Sequence, residues 1–569
     1  MLTCALNRGI DKQSLNVSSA TITRREWFVT VLITVLVITL QQIPYALGYR
    51  MARPGMEFTG LLINVEDGSY LSAIGQGING AWLYHIPFTT EEHAPAFIQV
   101  FYLTLGHLAR WFGLSAAAMW HIARAALAGG LFLGLYGWMA SFIDAPGARR
   151  VAWIWALVGA GWDWTWFPFE SPDPLGAAPL DWRMPEAHLF FSTLTYPHYA
   201  VNIGLVLLCL WCMWRVMSDS LPARRRWWLT GLAALTNVAL GIVYPFFILV
   251  PAVVLAVSYA WIAWRARRIA WQPAVALAAA FIIPAPLFLY YVFQVAMNPV
   301  IQVWNAQAVT LSPNPGHYLL TYLPYVFLGI LGITKTGNAN SKSAFLWIWI
   351  IVVAILVYVP MNPQRRLVQG LHIPMTILAT EGLCRIGIPW LARTRVFITL
   401  SQQPHYSIAG LQRLIVAGVI ALTSLASCYV WVSSVALLAL VQPYPLFRPT
   451  LELQAMDWLR ANTQPEEIVL SSYWTGSYIP ARTGNTVFVG QRYETNRFDE
   501  KRREAEQFFG AVTDDAWRVA LLRDYRIAYV FWGAGERDLG EFDPEGASYL
   551  ERVFANETAR VYRVRAGER

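Results

Sequence analysis

The sequence predicts a mainly α-helical, polytopic membrane protein: a transmembrane helical bundle of about 11–12 spans with a small C-terminal α/β domain outside the membrane. Three observations predict it. The 569-residue chain is 56% hydrophobic and only 14% charged, whereas a soluble domain carries about 25% charged residues. The deficit is concentrated, because residues 27–48, 228–264 and 272–293 hold almost no charge. Each is long enough to cross a hydrocarbon core of about 30 Å, which takes about 20 apolar residues in a helix. Finally, arginines gather at the ends of the apolar runs, at Arg24 and Arg25, at Arg224, Arg225 and Arg226, and at Arg265, Arg267 and Arg268. The net charge of +8 is therefore topological, following the positive-inside bias. No soluble basic stretch is interleaved with aromatics, which excludes a nucleic-acid partner.

The first span is residues 27–48. It is too long for the apolar region of a cleaved signal peptide, so residues 1–26 read as a cytoplasmic tail. Further spans are expected at 116–143, 150–165, 192–217, 227–242, 244–264, 272–293, 316–334, 344–360, 366–385 and 413–441. Residues 97–113 are apolar but broken by His107 and Arg110, and they either span or lie at the interface. If they lie at the interface, Arg149 and Arg150, the 224–226 and 265–268 clusters, Lys335 with Lys342, and Arg393 with Arg395 all fall inside. The loops 49–96, 166–191 and 294–315 and the region from about residue 445 then fall outside. The chain divides accordingly into a transmembrane domain, 27–444, with its first outer loop at 49–96, and an extracytoplasmic domain, 445–569. Long loops in a compact protein are commonly functional, which places the chemistry on the outer face.

In the C-terminal domain, residues 451–461 and 501–523 have helical periodicity, while 467–471, 486–490, 527–532 and 559–564 read as strands. Their alternation predicts a mostly parallel sheet. There is no GxGxxG or P-loop, so nothing supports nucleotide binding. Of the five cysteines, Cys4 is in the N-terminal tail. Cys209, Cys212, Cys384 and Cys428 lie in or beside apolar helices, and the CxxC pair Cys209 and Cys212, mid-helix with no His or acidic neighbour, reads as buried small hydrophobes rather than a metal or redox site.

The stretch that carries chemistry is Asn64-Val65-Glu66-Asp67-Gly68-Ser69-Tyr70-Leu71. Two adjacent carboxylates about twenty residues past a span sit at the membrane surface, where a carboxylate acts as a general base or ligates a divalent cation. The plainer reading is a solvated acidic loop with Asp67 capping a helix that starts at Gly68. Glu66-Asp67-Gly68-Ser69-Tyr70 resembles the D-E-x-x-Y pattern in the first outer loop of the C-type (GT-C) membrane glycosyltransferases, with the two acids exchanged. That superfamily includes protein O-mannosyltransferases and aminoarabinose transferases. The resemblance continues through His93-Ala94-Pro95-Ala96-Phe97 to Gly113 and extends to the layout of many spans followed by an outer α/β domain. It implies an inverting transfer of sugar from a polyprenyl-phosphate donor to a glycan, lipid or protein acceptor outside the membrane, with Glu66 or Asp67 catalytic and Tyr70 beside them.

A polyprenyl phosphate presents an anion at the membrane surface. Arg365 and Arg366 begin a span on the expected outer side, against the positive-inside bias. The pair reads equally as phosphate ligands, through the planar fork of guanidinium donors, and as snorkelling interfacial side chains. His93, His188 and His198 lie on or near outer loops, with His93 and His198 set as further substrate contacts against the commoner role of interfacial hydrogen bonding. Trp162, Asp163, Trp164, Trp166, Glu170, Asp173, Asp181 and Glu186 make an aromatic and acidic loop; its tryptophans suit an interfacial belt, and one of its acids is placed to assist Glu66 or Asp67. Tyr473-Trp474-Thr475-Gly476 and Gly490-Gln491-Arg492 are turn-like, for acceptor recognition or simply for packing. No metal ligand set is required, although a divalent cation fits the acidic pair. A lipid-saccharide transporter or flippase, or a non-catalytic assembly protein, are the competing functions. The arginine-rich, lysine-poor composition suits the plasma membrane of a GC-rich bacterium.

Overall fold

The computed structural model describes residues 21–169, 179–333 and 341–565; Cys4, Glu170, Asp173 and Lys335 lie outside them. Two compact units emerge. One, the helical unit, takes Met1–Gln42, Arg124–Leu289 and Thr310–Ser433, and the other, the mixed unit, takes Ile43–Ala123, Tyr290–Val309 and Ser434–Arg569.

Among the described residues, five helices are long and apolar enough to cross a membrane: Arg24–Arg50, Ala116–Met139, Pro197–Ser218, Pro245–Ala266 and Trp271–Met297. The pair Ile408–Thr423 and Leu425–Val441, bent by 52°, counts as a sixth if it is one span. The other five expected spans fall on Pro146–Val158, Ala223–Val243, Pro315–Ile333, Ser341–Leu356 and His372–Gly382. The protein is thus a polytopic helical membrane protein. Residues 97–113 form the helix Val100–Phe112, whose 13 residues extend about 20 Å at the usual helical rise. That is short of the hydrocarbon thickness of about 30 Å.

A buried ion pair pins the first helix of the helical unit. Arg149 is fully buried and donates to Glu26 Oε1 at 3.1 Å, to the Ile143 carbonyl at 3.1 Å and to the Asp144 carbonyl at 3.1 Å. Glu26 accepts in addition from the Tyr136 hydroxyl and from Thr23. Each charge therefore has several hydrogen-bond partners, the condition under which a buried pair is tolerated. Cys209 and Cys212 are buried in the helix Pro197–Ser218.

In the mixed unit, strand β1 (Met56–Phe58) pairs antiparallel with β2 (Phe447–Pro449). The join is reinforced by Arg482, which grips Asp457 through two donors at 2.9 and 2.8 Å and reaches Glu57 at 3.1 Å. Helices Gly68–Ile78 and Val100–Phe112 touch backbone to backbone. A Cβ on Gly106 would lie 2.2 Å from the Ile74 carbonyl oxygen, and one on Gly77 would lie 2.2 Å from that of Leu103. Only glycine fits either position.

The C-terminal sheet comprises β3 (Ile468–Leu470), β4 (Ile527–Trp532), β5 (Leu550–Ala555) and β6 (Arg560–Val564), in the order β3-β4-β6-β5. It is mixed rather than mostly parallel. β3 and β4 are parallel, but β6 runs antiparallel to both β4 and β5. The reason is local: Asn556, whose side chain accepts from the Thr558 and Ala559 amides, closes a tight reversal that makes β5 and β6 a hairpin. The segment 486–490 contributes only a bridge at Val487 to Val469. The helical stretch 501–523 is two helices, Phe498–Phe509 and Asp515–Asp524. Apolar clusters pack on the sheet around Phe508, Leu522 and Val530 and around Leu459, Tyr529 and Phe531, so that β4 is almost wholly buried.

Candidate functional site

The acidic pair sits at the start of a helix in the mixed unit. Residues Val65–Asp67 form one 3-10 turn, opened by Asn64, whose side-chain oxygen accepts from the Glu66 amide at 3.2 Å. Asp67 is the N-cap of Gly68–Ile78, but its side chain makes no capping hydrogen bond. The simplest structural account of an aspartate at this position therefore does not apply.

Glu66 is held by three donors. The Tyr473 hydroxyl donates to Oε1 at 2.6 Å, the Arg492 amide donates to the same oxygen at 3.0 Å, and Asn64 Nδ2 donates to Oε2 at 2.9 Å. All three are neutral groups, so the carboxylate is oriented without a salt bridge to a cation. The turn carrying Tyr473 approaches closely, since a Cβ on Gly68 would lie 2.5 Å from the Ser477 carbonyl oxygen. The two turn-like segments of the C-terminal region, at 473–476 and 490–492, therefore meet at Glu66. Sequence reading could single them out as turns but had no means to pair them with a residue some four hundred positions away.

Tyr70 lies in an aromatic stack, with its ring centroid 4.7 Å from Tyr102 and 5.8 Å from Trp120. His93 is occupied within its own loop: Nε2 accepts from the Ile86 amide at 3.0 Å, and Nδ1 meets the Glu91 carbonyl at 2.8 Å. This fixes the neutral tautomer. Its ring stacks on His85 at 4.3 Å. Burial pushes both imidazoles below their ordinary range, His85 to about 4.

His198, Arg365 and Arg366 belong to the helical unit. Thr310 donates its amide to the Asn362 carbonyl at 2.7 Å and accepts from the Arg365 amide at 3.1 Å, which pairs the arginine turn with the 308–314 segment. Arg366 donates to the Tyr244 hydroxyl and lies over the Tyr244 ring, 5.7 Å from its centroid. The same ring sits 5.3 Å from His198. Arg365 is partly exposed and makes a long ion pair, 3.9 Å, to buried Glu186; among the described residues its Nε, like that of Arg366, has no hydrogen-bond partner. Tyr244 and Glu186 thus flank the arginine pair. Nothing in the sequence marked Tyr244, which reads only as the residue before a proline.

Two other described acids of the 162–186 loop, Asp163 and Asp181, are engaged inside the fold. Asp163 receives the Leu180 amide at 2.5 Å and contacts His317 Nδ1 at 2.9 Å, while Asp181 contacts His188 Nε2 at 2.9 Å. Both aspartates are buried, so these pairs brace the loop. Among the described residues, no three His, Cys, Asp or Glu side chains converge on a metal-binding arrangement.

No protein-family model and no curated protein matches the chain. Solved structures do. ArnT from Cupriavidus metallidurans bound to undecaprenyl phosphate aligns over 96% of this chain and 99% of its own, with a TM-score of 0.52 and 13% identity. The Archaeoglobus fulgidus oligosaccharyltransferase, tethered to an acceptor peptide containing the NVT sequon, aligns over 90% of this chain and 69% of its own, with a TM-score of 0.52 and 12% identity. Arabinofuranosyltransferase AftD from Mycobacteria aligns over 97% of this chain but 40% of its own, with a TM-score of 0.54 and 14% identity. At these identities the likeness shows the fold.

Proposed function

The chain has a GT-C-type fold, and from that premise we infer that it is an integral membrane glycosyltransferase, moving a sugar from a polyprenyl-phosphate donor to an acceptor on the outer face of the membrane. The observation that carries this reading is the likeness to ArnT, a protein whose structure holds undecaprenyl phosphate, over 96% of the present chain. The acidic pair at the head of Gly68–Ile78 supports it.

The reaction is a single displacement. The acceptor heteroatom attacks the anomeric carbon, the bond from that carbon to the phosphate oxygen breaks on the opposite face, and polyprenyl phosphate leaves, inverting the configuration. The acceptor's proton passes to a carboxylate, the role assigned to Glu66 or Asp67. Arg365 and Arg366 are suited to the phosphate, because a guanidinium forms charge-assisted, bidentate contacts with phosphate oxygens. Arg366 already donates to the Tyr244 hydroxyl, whereas Arg365 meets Glu186 at the longer distance of 3.9 Å. His198, beside the same tyrosine as Arg366, and Tyr70, beside the acidic pair in sequence, complete the substrate contacts. His93 acts through the loop it orders. On this reading the C-terminal region lies outside the plasma membrane.

The test uses the protein in membranes supplied with polyprenyl-phosphate sugars, comparing wild type with Glu66→Gln, Asp67→Asn and the double variant. Loss of the proton acceptor lowers transfer by about 10²–10⁴-fold. Transfer unaffected by either change and by both together sinks the assignment. A reporter fused after residue 362 that reads inside removes the phosphate role of the arginines.

A further inference from the structure

Of the three donors on Glu66, two come from the C-terminal region, and both address the same oxygen. The Tyr473 bond, 2.6 Å from hydroxyl to Oε1, is a charge-assisted hydrogen bond, a class that is shorter and about twice as strong as its neutral counterpart. The hydroxyl does not hang on a free side chain. The short helix Tyr473–Gly476 is N-capped by Ser472, which accepts from the Thr475 amide, and the Ser472 amide is itself tied to buried Glu536 Oε1 at 2.8 Å. Phe498 meets the Tyr473 ring edge-on at 5.3 Å, and Trp474 packs on it at 4.6 Å. Burial and the negative charge of Glu66 push the Tyr473 hydroxyl well above its ordinary range, so it remains a donor throughout the working pH range.

The second donor is equally fixed. The 490–496 segment is bolted down by Thr495, which accepts from the Gly490 amide and donates to the Phe88 carbonyl at 2.8 Å. Gln307 adds bonds to the Tyr493 and Thr495 carbonyls at 3.2 and 2.9 Å. The Arg492 amide therefore points at Glu66 from a rigid turn.

We propose that Tyr473 is a positioning residue for sugar transfer: with the Arg492 amide it fixes the direction in which the Glu66 carboxylate is presented, so that the C-terminal region takes part in the chemical step. This rests on the glycosyltransferase reading. A carboxylate gripped by two donors at one oxygen loses its rotational freedom, and holding a reacting group in a fixed geometry is a large share of catalysis.

The experiment measures transfer by Tyr473→Phe, Tyr473→Ala and Glu66→Gln, and by Tyr473→Phe combined with Glu66→Gln, in membranes with polyprenyl-phosphate sugars. Removing a hydrogen bond to a charged group lowers kcat about 10- to 100-fold, with the donor KM little changed. Tyr473→Ala is expected to be no worse than Tyr473→Phe, and adding Tyr473→Phe to Glu66→Gln to cost nothing further, because both act through one contact. A Tyr473→Phe enzyme with wild-type kcat, or losses that multiply in the double variant, overturns the proposal and leaves the glycosyltransferase reading standing. A wild type inactive with every donor overturns that reading and this role with it.

Discussion

Glu494 ties the mixed unit to pH in a way that one substitution, Glu494→Gln, tests. The side chain is 3% exposed, accepts from the Tyr84 hydroxyl at 2.9 Å and is bonded by Gln99. Burial outweighs both bonds and lifts its carboxyl from 4.5 to about 7. A raised carboxyl favours the folded state while it is protonated. That stability is fully present below the unfolded value near 4.5 and is lost as pH rises towards 7, where the folded group finally ionises. At 1.36 kcal/mol per unit, a difference of about 2.5 units amounts to about 3 kcal/mol. Glutamine keeps the shape and never ionises. Thermal unfolding of wild type and Glu494→Gln should therefore nearly coincide below pH 4.5 and separate steadily, with the variant the more stable by about 2 kcal/mol at pH 6 and about 3 at pH 8. A difference independent of pH between 4.5 and 8 would show that the carboxyl does not titrate in the folded protein, and the burial argument would fail.

Gly106→Val forces a side chain to within 2.2 Å of the Ile74 carbonyl; the helices at Gly68–Ile78 and Val100–Phe112 must separate, at a cost of about 3 kcal/mol or more, seen as a lowered melting temperature and faster proteolysis of residues 68–112. Arg149→Met leaves Glu26 buried without its cation, a loss of about 3–5 kcal/mol; the yield of folded protein should drop, and combining it with Glu26→Gln should restore most of it.

Much of the fold was legible because membrane insertion is written in composition. A span must satisfy its backbone internally and present apolar side chains to lipid, so uninterrupted runs such as 27–48 and 272–293 announce themselves without reference to any other part of the chain. The 97–113 segment resisted for the same reason: its apolar residues are right for a span, and only the helix bounds, Val100–Phe112, show that it is too short. The C-terminal sheet was partly misread because alternation of strands and helices reports connection lengths, and the hairpin that turns β6 antiparallel depends on four residues, Asn556 to Ala559, with no Asn-Gly or Gly-rich signal.

The site divides along the same line. Glu66 and Asp67 were visible because the pair and Tyr70 resemble the D-E-x-x-Y pattern of a first outer loop. The arginine pair was visible because it runs against the charge bias of its expected side. What surrounds them was not. Tyr473, Arg492 and Tyr244 are ordinary residues for their segments, a turn, a turn and a helix end, and each gains its meaning only from a partner 407, 426 and 122 positions away in the chain. Contacts at that separation leave no periodicity or spacing in one sequence, since an intervening chain of any composition closes the loop. The consequence for function is specific. If the Glu66 carboxylate is oriented by Tyr473 and the Arg492 amide, then changes confined to the C-terminal region alter the chemical step itself, and a truncation ending before residue 473 should abolish transfer even where the acidic pair is intact.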